Sequence, residues 1–177
     1  PKTYQQKLFF IRDFQLFNER DCLIAAASSA WVVIDGSTRR LVPPQKLEGL
    51  RLPNTPGEHG LDEPLEKIAL PDGGEERFRQ KVRYSDLDEV GHMNNGRYVE
   101  RICDAFELQT YEKQEMAWIQ INFDKETRYN EELAVFRQPM GDEDGLFGIK
   151  GLNLSTNARA FEALVKFCPI NITLGMD

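Results

Sequence analysis

The sequence predicts an α+β fold, an antiparallel sheet wrapped around a central helix, and three observations carry that expectation. Arg77–Tyr84 alternates in the manner of a half-buried strand. After a polar loop, Tyr98, Ile102, Ala105, Phe106 and Gln109 recur at helical spacing. Four strand-like stretches then run to Phe167, divided by turn-forming residues. One strand, one apolar helix and a run of strands bury their apolar faces most simply as a sheet packed on that helix.

In chain order, Lys7–Phe17 and Cys22–Ile34 read as strands joined by the turn-rich Asn18-Glu19-Arg20-Asp21. Two strands do not make a stable domain by themselves. Either they dock on the later region or they close a domain whose beginning lies upstream of Pro1, and the second is the expectation favoured. Six of the nine prolines (Pro43, Pro44, Pro53, Pro56, Pro64 and Pro71) and five glycines fall between residues 43 and 75. Proline removes a backbone donor and breaks helices, so this stretch reads as a linker or long crossover. The expected division is 1–42, 43–75 and 76–177.

Within the last part, Phe78, Val82 and Tyr84 are expected to face inward, with Arg77, Arg79, Lys81 and Arg83 on the other face. Ser85–Asn95 is a loop, and Asn94 or Asn95 is suited to cap the helix that follows, because a short amide side chain accepts from the first free N–H groups. Val99, Cys103 and Leu108 widen the helical stripe, Cys103 as a small buried hydrophobe. Met116–Lys125, Glu132–Gln138, Leu146–Leu154 and Arg159–Phe167 form an expected four-strand meander. Its alternation is clearest in Trp118/Gln120/Asn122 against Ile119/Ile121/Phe123 and in Phe161/Ala163/Val165/Phe167. Residues 141–145 and 155–157 are its hairpin turns. The phenylalanines, Trp31 and Trp118 are expected in the core.

Composition narrows the function classes. The 177 residues carry 22 Lys+Arg against 29 Asp+Glu, a net charge of −7, with 41% hydrophobic and 29% charged residues. That is the make-up of one folded domain or two small ones, not of a disordered chain. An acidic chain is ill suited to gripping a phosphate backbone, which excludes nucleic acid as the expected partner. The longest apolar stretch, Leu23–Ile34, is interrupted by Ser28 and Ser29 and falls short of the ~20 residues of a membrane span. Cys22, Cys103 and Cys168 form no CxxC pair and no cluster of zinc spacing, so neither a disulfide framework nor a structural zinc is expected, and a reducing compartment fits.

The stretch richest in chemistry is Tyr84–Asn95, where carboxylates, a histidine and two amides precede the helix. A helix N-terminus offers free N–H groups and partial positive charge to an oxyanion. A calcium loop counted from Asp86 would need an oxygen ligand, glycine and glutamate where the chain has Val90, Gly91 and Arg97, and fails at two of these. On residue types alone, three readings fit: a turn with a helix cap, a metal site of Asp86, Asp88 and His92, and an active site.

A resemblance favours the last. Asp86-Leu-Asp-Glu-Val-Gly-His-Met-Asn-Asn, followed after two intervening residues by Tyr98, resembles the active-site motif of the acyl-acyl carrier protein (acyl-ACP) thioesterases of plants and bacteria. These are double hotdog proteins, each hotdog a sheet curled around one helix. Ala27-Ser-Ser-Ala-Trp31 followed by Thr38-Arg-Arg-Leu-Val42 looks like the end of the family's first hotdog. Ile121-Asn-Phe-Asp-Lys-Glu126 looks like the strand carrying its later catalytic carboxylate. The resemblance implies a complete C-terminal hotdog and a partial first one, most of which lies upstream of Pro1. Carried over by position, Asp88, His92 and Glu126 are the catalytic candidates, and Asn94, Asn95 and Gly96 form the helix start over which a thioester carbonyl would sit.

Two positions depart from the family pattern. Val90 stands where the family usually has Asn, and Thr127 where some accounts place a nucleophilic Cys. What remains is carboxylate-assisted hydrolysis. Asp88 or Glu126 activates water with His92 as orienting partner, or Asp88 attacks and water resolves an anhydride. The implied partner is acyl carrier protein bearing an acyl chain on 4'-phosphopantetheine, with no metal or organic cofactor. The implied setting is fatty acid biosynthesis, in a bacterial cytoplasm or a plant plastid. An acidic carrier would meet the Arg77/Arg79/Lys81/Arg83 face or Arg39, Arg40, Arg97 and Arg101. The oligomeric state stays open: with the upstream residues missing, the edges of strands 7–17 and 22–34 invite pairing with another chain, and a homodimer is one such outcome. The alternatives are a hotdog acyl-CoA thioesterase and a hotdog that binds acyl chains or carrier without catalysis.

Overall fold

The computed structural model describes residues 5–6, 8–43, 46–47, 61, 65–141 and 144–170. Lys7, most of the Pro/Gly-rich 43–75 stretch and residues 142–143 of the expected 141–145 turn lie outside them. The chain divides into two compact units, Pro1–Glu66 and Lys67–Asp177. Among the described residues, no helix is long and apolar enough to cross a membrane.

The first unit holds strands β1 (Gln5–Gln6), β2 (Phe9–Phe17) and β3 (Leu23–Trp31), in that order in one sheet. β2 and β3 form an antiparallel hairpin running from Phe10↔Trp31 to Phe17↔Leu23. Its turn is closed by Asn18, whose Oδ1 accepts N–H bonds from Arg20 and Cys22 at 2.9 Å each. The expected single run Cys22–Ile34 breaks at Val32. Beyond it β4 (Val33–Ile34) leaves the sheet and pairs with β5 (Leu41–Val42). Asp35 organises that turn. Hydrogen bonds from the Ser37 hydroxyl and the Thr38 amide hold its carboxyl down at about 2. Trp31, expected in the core, is exposed, with Arg12 stacked 5.1 Å from its ring centroid.

The second unit is built from β6 (Glu75–Lys81), helices α1 (Asn95–Cys103) and α2 (Leu108–Lys113), β7 (Gln114–Phe123), β8 (Glu132–Pro139), β9 (Leu146–Asn153) and β10 (Ala158–Pro169). All strand pairs are antiparallel, in the order β6-β8-β9-β10-β7. The expected four-strand meander is thus corrected to three strands, β8-β9-β10. β7 pairs with β10 rather than with β8, the strand that follows it. Both apolar faces, Ile119/Ile121 and Ala163/Val165, then meet on one side of the sheet: Ala163 lies opposite Ile121 and Val165 opposite Ile119.

α1 lies against that side. Tyr98 and Ile102 are buried with Phe161, Ile149, Val135 and Val165 in one apolar cluster. The Tyr98 and Phe161 rings meet edge to face at 5.5 Å, and Phe106 meets Phe167 at 4.7 Å, separations at which aromatic pairs add to simple burial. The expected helical stripe through Gln109 does not hold as one helix. α1 ends at Cys103, and bonds from Ala105 N to Ile102 O and from Phe106 N to Cys103 O tighten the chain into a turn that seats Ala105 and Phe106 in the core. Val99 and Leu108, expected to widen the buried stripe, face solvent. Tyr84, expected inside, is 85% exposed, because β6 ends at Lys81 and residues Tyr84–Asp86 form a 3₁₀ turn instead.

The turn between the helices is clamped to the sheet by charge. Arg137 donates to Ala105 O and to Glu107 Oε2, both at 3.0 Å, and stacks 5.2 Å from the Phe106 centroid. Arg77 pairs with Glu107 as well as Glu75. Arg137, through its hydrogen bond, is the main cause that draws the Glu107 carboxyl down from the ordinary 4.5 to about 2. A carboxyl lowered on folding stabilises the fold above its unfolded pKa and loses that contribution as pH falls through the folded one. Glu107→Gln should therefore flatten the loss of stability between pH 4.5 and 2, as read from thermal melting at each pH.

Close packing between β9 and β10 also fixes a glycine. A Cβ at Gly151 would lie 2.1 Å from Cε1 of the fully buried Phe161 ring. Gly151→Ala should destabilise by about 1–3 kcal/mol, as forced overpacking does, measured by urea unfolding.

Candidate active site

The loop before α1 folds on its own hydrogen bonds. Asp88 Oδ1 accepts from Val90 N at 2.9 Å and His92 N at 3.2 Å, and Asp88 N donates to His92 O at 2.8 Å. The turn passes through Gly91 at φ 81, a left-handed conformation that glycine adopts without strain. Val90 contributes its N–H to this turn while its side chain is exposed. Asn94 is the N-cap: its Oδ1 accepts from Gly96 N at 2.8 Å and its carbonyl from Arg97 N at 2.9 Å.

Asp86 anchors the loop from below. Its buried carboxylate meets Arg101 of α1 at 2.9 Å and accepts the Arg83 N–H at 2.7 Å, while its carbonyl accepts from Asn94 N. Both carboxylate oxygens are engaged by cation and amide, so Asp86 holds structure and is not placed as a metal ligand.

A second segment comes up beside the loop from the end of β7. Met93 N donates to Thr127 O at 2.8 Å, and residues 92 and 128 form an isolated antiparallel bridge. The buried Tyr98 hydroxyl accepts the Thr127 N–H at 3.2 Å, and burial raises the Tyr98 pKa. These contacts bring Glu126 Oε2 to 3.0 Å from His92 Nε2. The His92 side chain is 17% exposed and that of Glu126 40%, so the pair sits at a mouth rather than in the interior.

The pair opens on a cavity of about 230 Å³. Asp88, His92, Asn95 and Glu126 line it, with Asp124 and Lys125 at its rim and Met93, Tyr98 and Phe123 as its apolar wall. Four of the six expected site residues therefore share one cavity. Asn94 and Gly96 do not line it and form the helix cap instead. Sequence reading did not single out Asp124 or Lys125, although both stand in the Ile121–Glu126 stretch that marked Glu126. None of Cys22, Cys103 and Cys168 lines the cavity, and Thr127, at the position of the proposed nucleophilic Cys, is fully buried.

Half of the basic face expected to meet a carrier is engaged at home. Arg77 and Arg79 pair with Glu75, Glu107 and Glu76, Arg97 with Glu100, and Arg101 with the buried Asp86. Among the described residues, Lys81 and Arg83 are exposed with no ion pair.

A sheet of this strand order curled on one helix, with an imidazole and a carboxylate meeting at the helix start, defines a hotdog-fold protein. Residues 71–167 match the acyl-ACP thioesterase C-terminal domain, more than half of the chain, and the chain belongs to the acyl-ACP thioesterase family. Among solved structures it is similar to an acyl-ACP thioesterase from Bacteroides thetaiotaomicron VPI-5482, with a TM-score of 0.69 and 22% identity over 93% of this chain and 65% of that one. It is likewise similar to the 12:0-ACP thioesterase from Umbellularia californica, with a TM-score of 0.69 and 17% identity over 91% of this chain and 61% of that one. At such identities the likeness shows the fold. The chain spans less than two thirds of the length of either protein. No curated protein sequence matches it.

The anchoring role of Asp86 is testable. Removing one partner of a buried ion pair leaves an uncompensated charge, so Asp86→Ala should destabilise by about 3–5 kcal/mol, measured by chemical denaturation.

Proposed function

We propose that the protein hydrolyses acyl thioesters carried on acyl carrier protein, with Glu126 and His92 activating water at the start of α1. The observation that carries this reading is the 3.0 Å approach of Glu126 Oε2 to His92 Nε2 on a cavity that also holds Asn95, the first residue of α1. A general base must lie within hydrogen-bond reach of the proton it removes, and a carboxylate held by an imidazole at the wall of an open cavity is placed to reach a water there.

In the proposed reaction, Glu126, oriented by His92, takes a proton from water as its oxygen attacks the thioester carbon. The charge that develops on the carbonyl oxygen meets the positive end of α1 at Asn95. The C–S bond then breaks, the proton held by Glu126 passes to the thiolate of the carrier arm, and a free carboxylic acid leaves with Glu126 again ionised. Asp88 is the weaker candidate for base or nucleophile, because its Oδ1 already accepts two N–H groups of its own loop. Its role in this reading is to hold the turn that presents His92. The chemistry needs no metal or organic cofactor.

Membership of the acyl-ACP thioesterase family supports this choice of substrate, and the hairpin of β2 and β3 is read as the closing strands of a first hotdog. The test is release of free thiol from matched acyl-ACP and acyl-CoA. Glu126→Gln and His92→Ala should each lower kcat/KM for acyl-ACP by about 10²–10⁴-fold, the range that a positioned acid or base contributes, and acyl-ACP should be preferred over acyl-CoA. Activity unchanged in both variants would remove the pair from the mechanism. Binding of acyl-ACP without thiol release by the unaltered protein would make it a binder.

A further inference from the structure

We infer that Arg159 is a positioning residue for Glu126: held by the buried Glu162, it fixes Asp124 and with it the segment that carries Glu126 to His92. The inference rests on reading Glu126 and His92 as the hydrolytic pair.

It begins at an irregularity in the sheet. β10 pairs with β9 in regular register except between Arg159 and Phe161, where Ala160 is passed over. A bulge of this kind takes one residue out of the ladder and re-aims its neighbours. The Ala160 carbonyl accepts the N–H groups of Asp124, at 2.8 Å, and Lys125, at 3.3 Å. Arg159 then reaches the same segment by its side chain, with Nε 2.6 Å from Asp124 Oδ2 and Nη1 2.9 Å from Glu162 Oε1.

Glu162 distinguishes this arrangement from an ordinary surface ion pair, which contributes little because both partners are free to move in water. It is 1% exposed. A carboxylate so removed from solvent holds its cationic partner in place, since separation would leave it unpaired in a low-dielectric setting. The guanidinium hydrogen-bonds Asp124 through Nε while Nη1 stays within ion-pair distance of Glu162, whose oxygens have no hydrogen-bond partner among the described residues. A planar fork spans the two carboxylates in a way that Lys does not reproduce.

At the other end of the segment, Thr127 is fastened through its N–H to Tyr98 and through its carbonyl to Met93. Residues 124 and 127 are thus both pinned, and Glu126 between them turns its carboxylate to His92. Arg159 itself does not line the cavity. Its effect passes through Asp124, and a shift of about 1 Å in a reacting group is enough to lower turnover by around 10²-fold.

The experiment compares Arg159→Ala, Glu126→Gln and the double variant of the whole chain in single-turnover thiol release from acyl-ACP, with KM and melting temperature recorded for each. The expected result has three parts. Arg159→Ala lowers kcat, read well below its melting temperature, by about 10–100-fold with KM nearly unchanged, and it lowers the melting temperature because Glu162 is left buried and unpaired. Arg159→Lys recovers little of the loss. Removing Arg159 from the Glu126→Gln background has no further effect. Wild-type kcat in Arg159→Ala beside an inactive Glu126→Gln overturns the inference and leaves the proposed pair standing. So do losses that multiply in the double variant. Wild-type kcat in Glu126→Gln overturns the pair and the inference together. If Arg159→Ala does not fold, Asp124→Asn removes the other end of the same contact and is held to the same outcomes.

Discussion

Tyr98 is the residue through which helix, sheet and site are joined. Its ring lies edge to face against both Phe161 of β10 and Phe123 of β7, at 5.5 and 5.7 Å. Its hydroxyl, at the far end of the same ring, accepts the Thr127 amide. The hydrophobic burial that holds α1 in the sheet therefore also sets the distance between the start of α1 and the segment bearing Glu126. A side chain with an apolar body and one polar end is suited to that double duty. The loop carrying His92 is fixed from the same helix by the Asp86–Arg101 pair, one turn further along.

Charge in this molecule is spent mainly on the turns. Arg137, Arg77, Glu107 and Glu75 hold the corner between the two helices, Asp86 and Arg101 hold the loop before α1, and Arg159 with Asp124 and Glu162 holds the end of β7. Each group ties a main-chain reversal to a neighbouring strand or helix. The net charge of −7 thus says little about which surface faces a partner, since most of the arginines that would offer an acidic carrier a landing site are already paired.

What the sequence made legible was whatever depends on neighbours along the chain. Alternation located β6 to β10 to within a few residues, and the amides of Asn94 and Asn95 marked the helix start to within one residue because capping is a local hydrogen bond. The break after Cys103 was not legible. Phe106 keeps the helical spacing, and only its stacking on Phe147 and Phe167, distant in sequence, reveals that the chain has turned. Pairing of β7 with β10 was hidden for the same reason, because alternation says which face is apolar and not which strand lies alongside. In the site, the Asp88–Asn94 stretch could be read as a unit. Glu126 was reached only by resemblance, and Asp124 was missed because its partners Ala160 and Arg159 are brought to it by a bulge that leaves no trace in composition.

The turn at Asp88 has an evolutionary corollary. It is closed by the carboxylate of residue 88 and the amide hydrogens of residues 90 and 92, so position 90 contributes only its main chain. Its side chain points into solvent and is absent from the cavity wall. Substitutions there are invisible to the turn as long as the N–H survives. Proline, which lacks that hydrogen, is the one residue that the turn itself excludes. A lineage is then free to drift from an amide to a valine at this position without disturbing the presentation of His92, whereas positions 88 and 91, which supply the acceptor and the left-handed bend, have no such latitude.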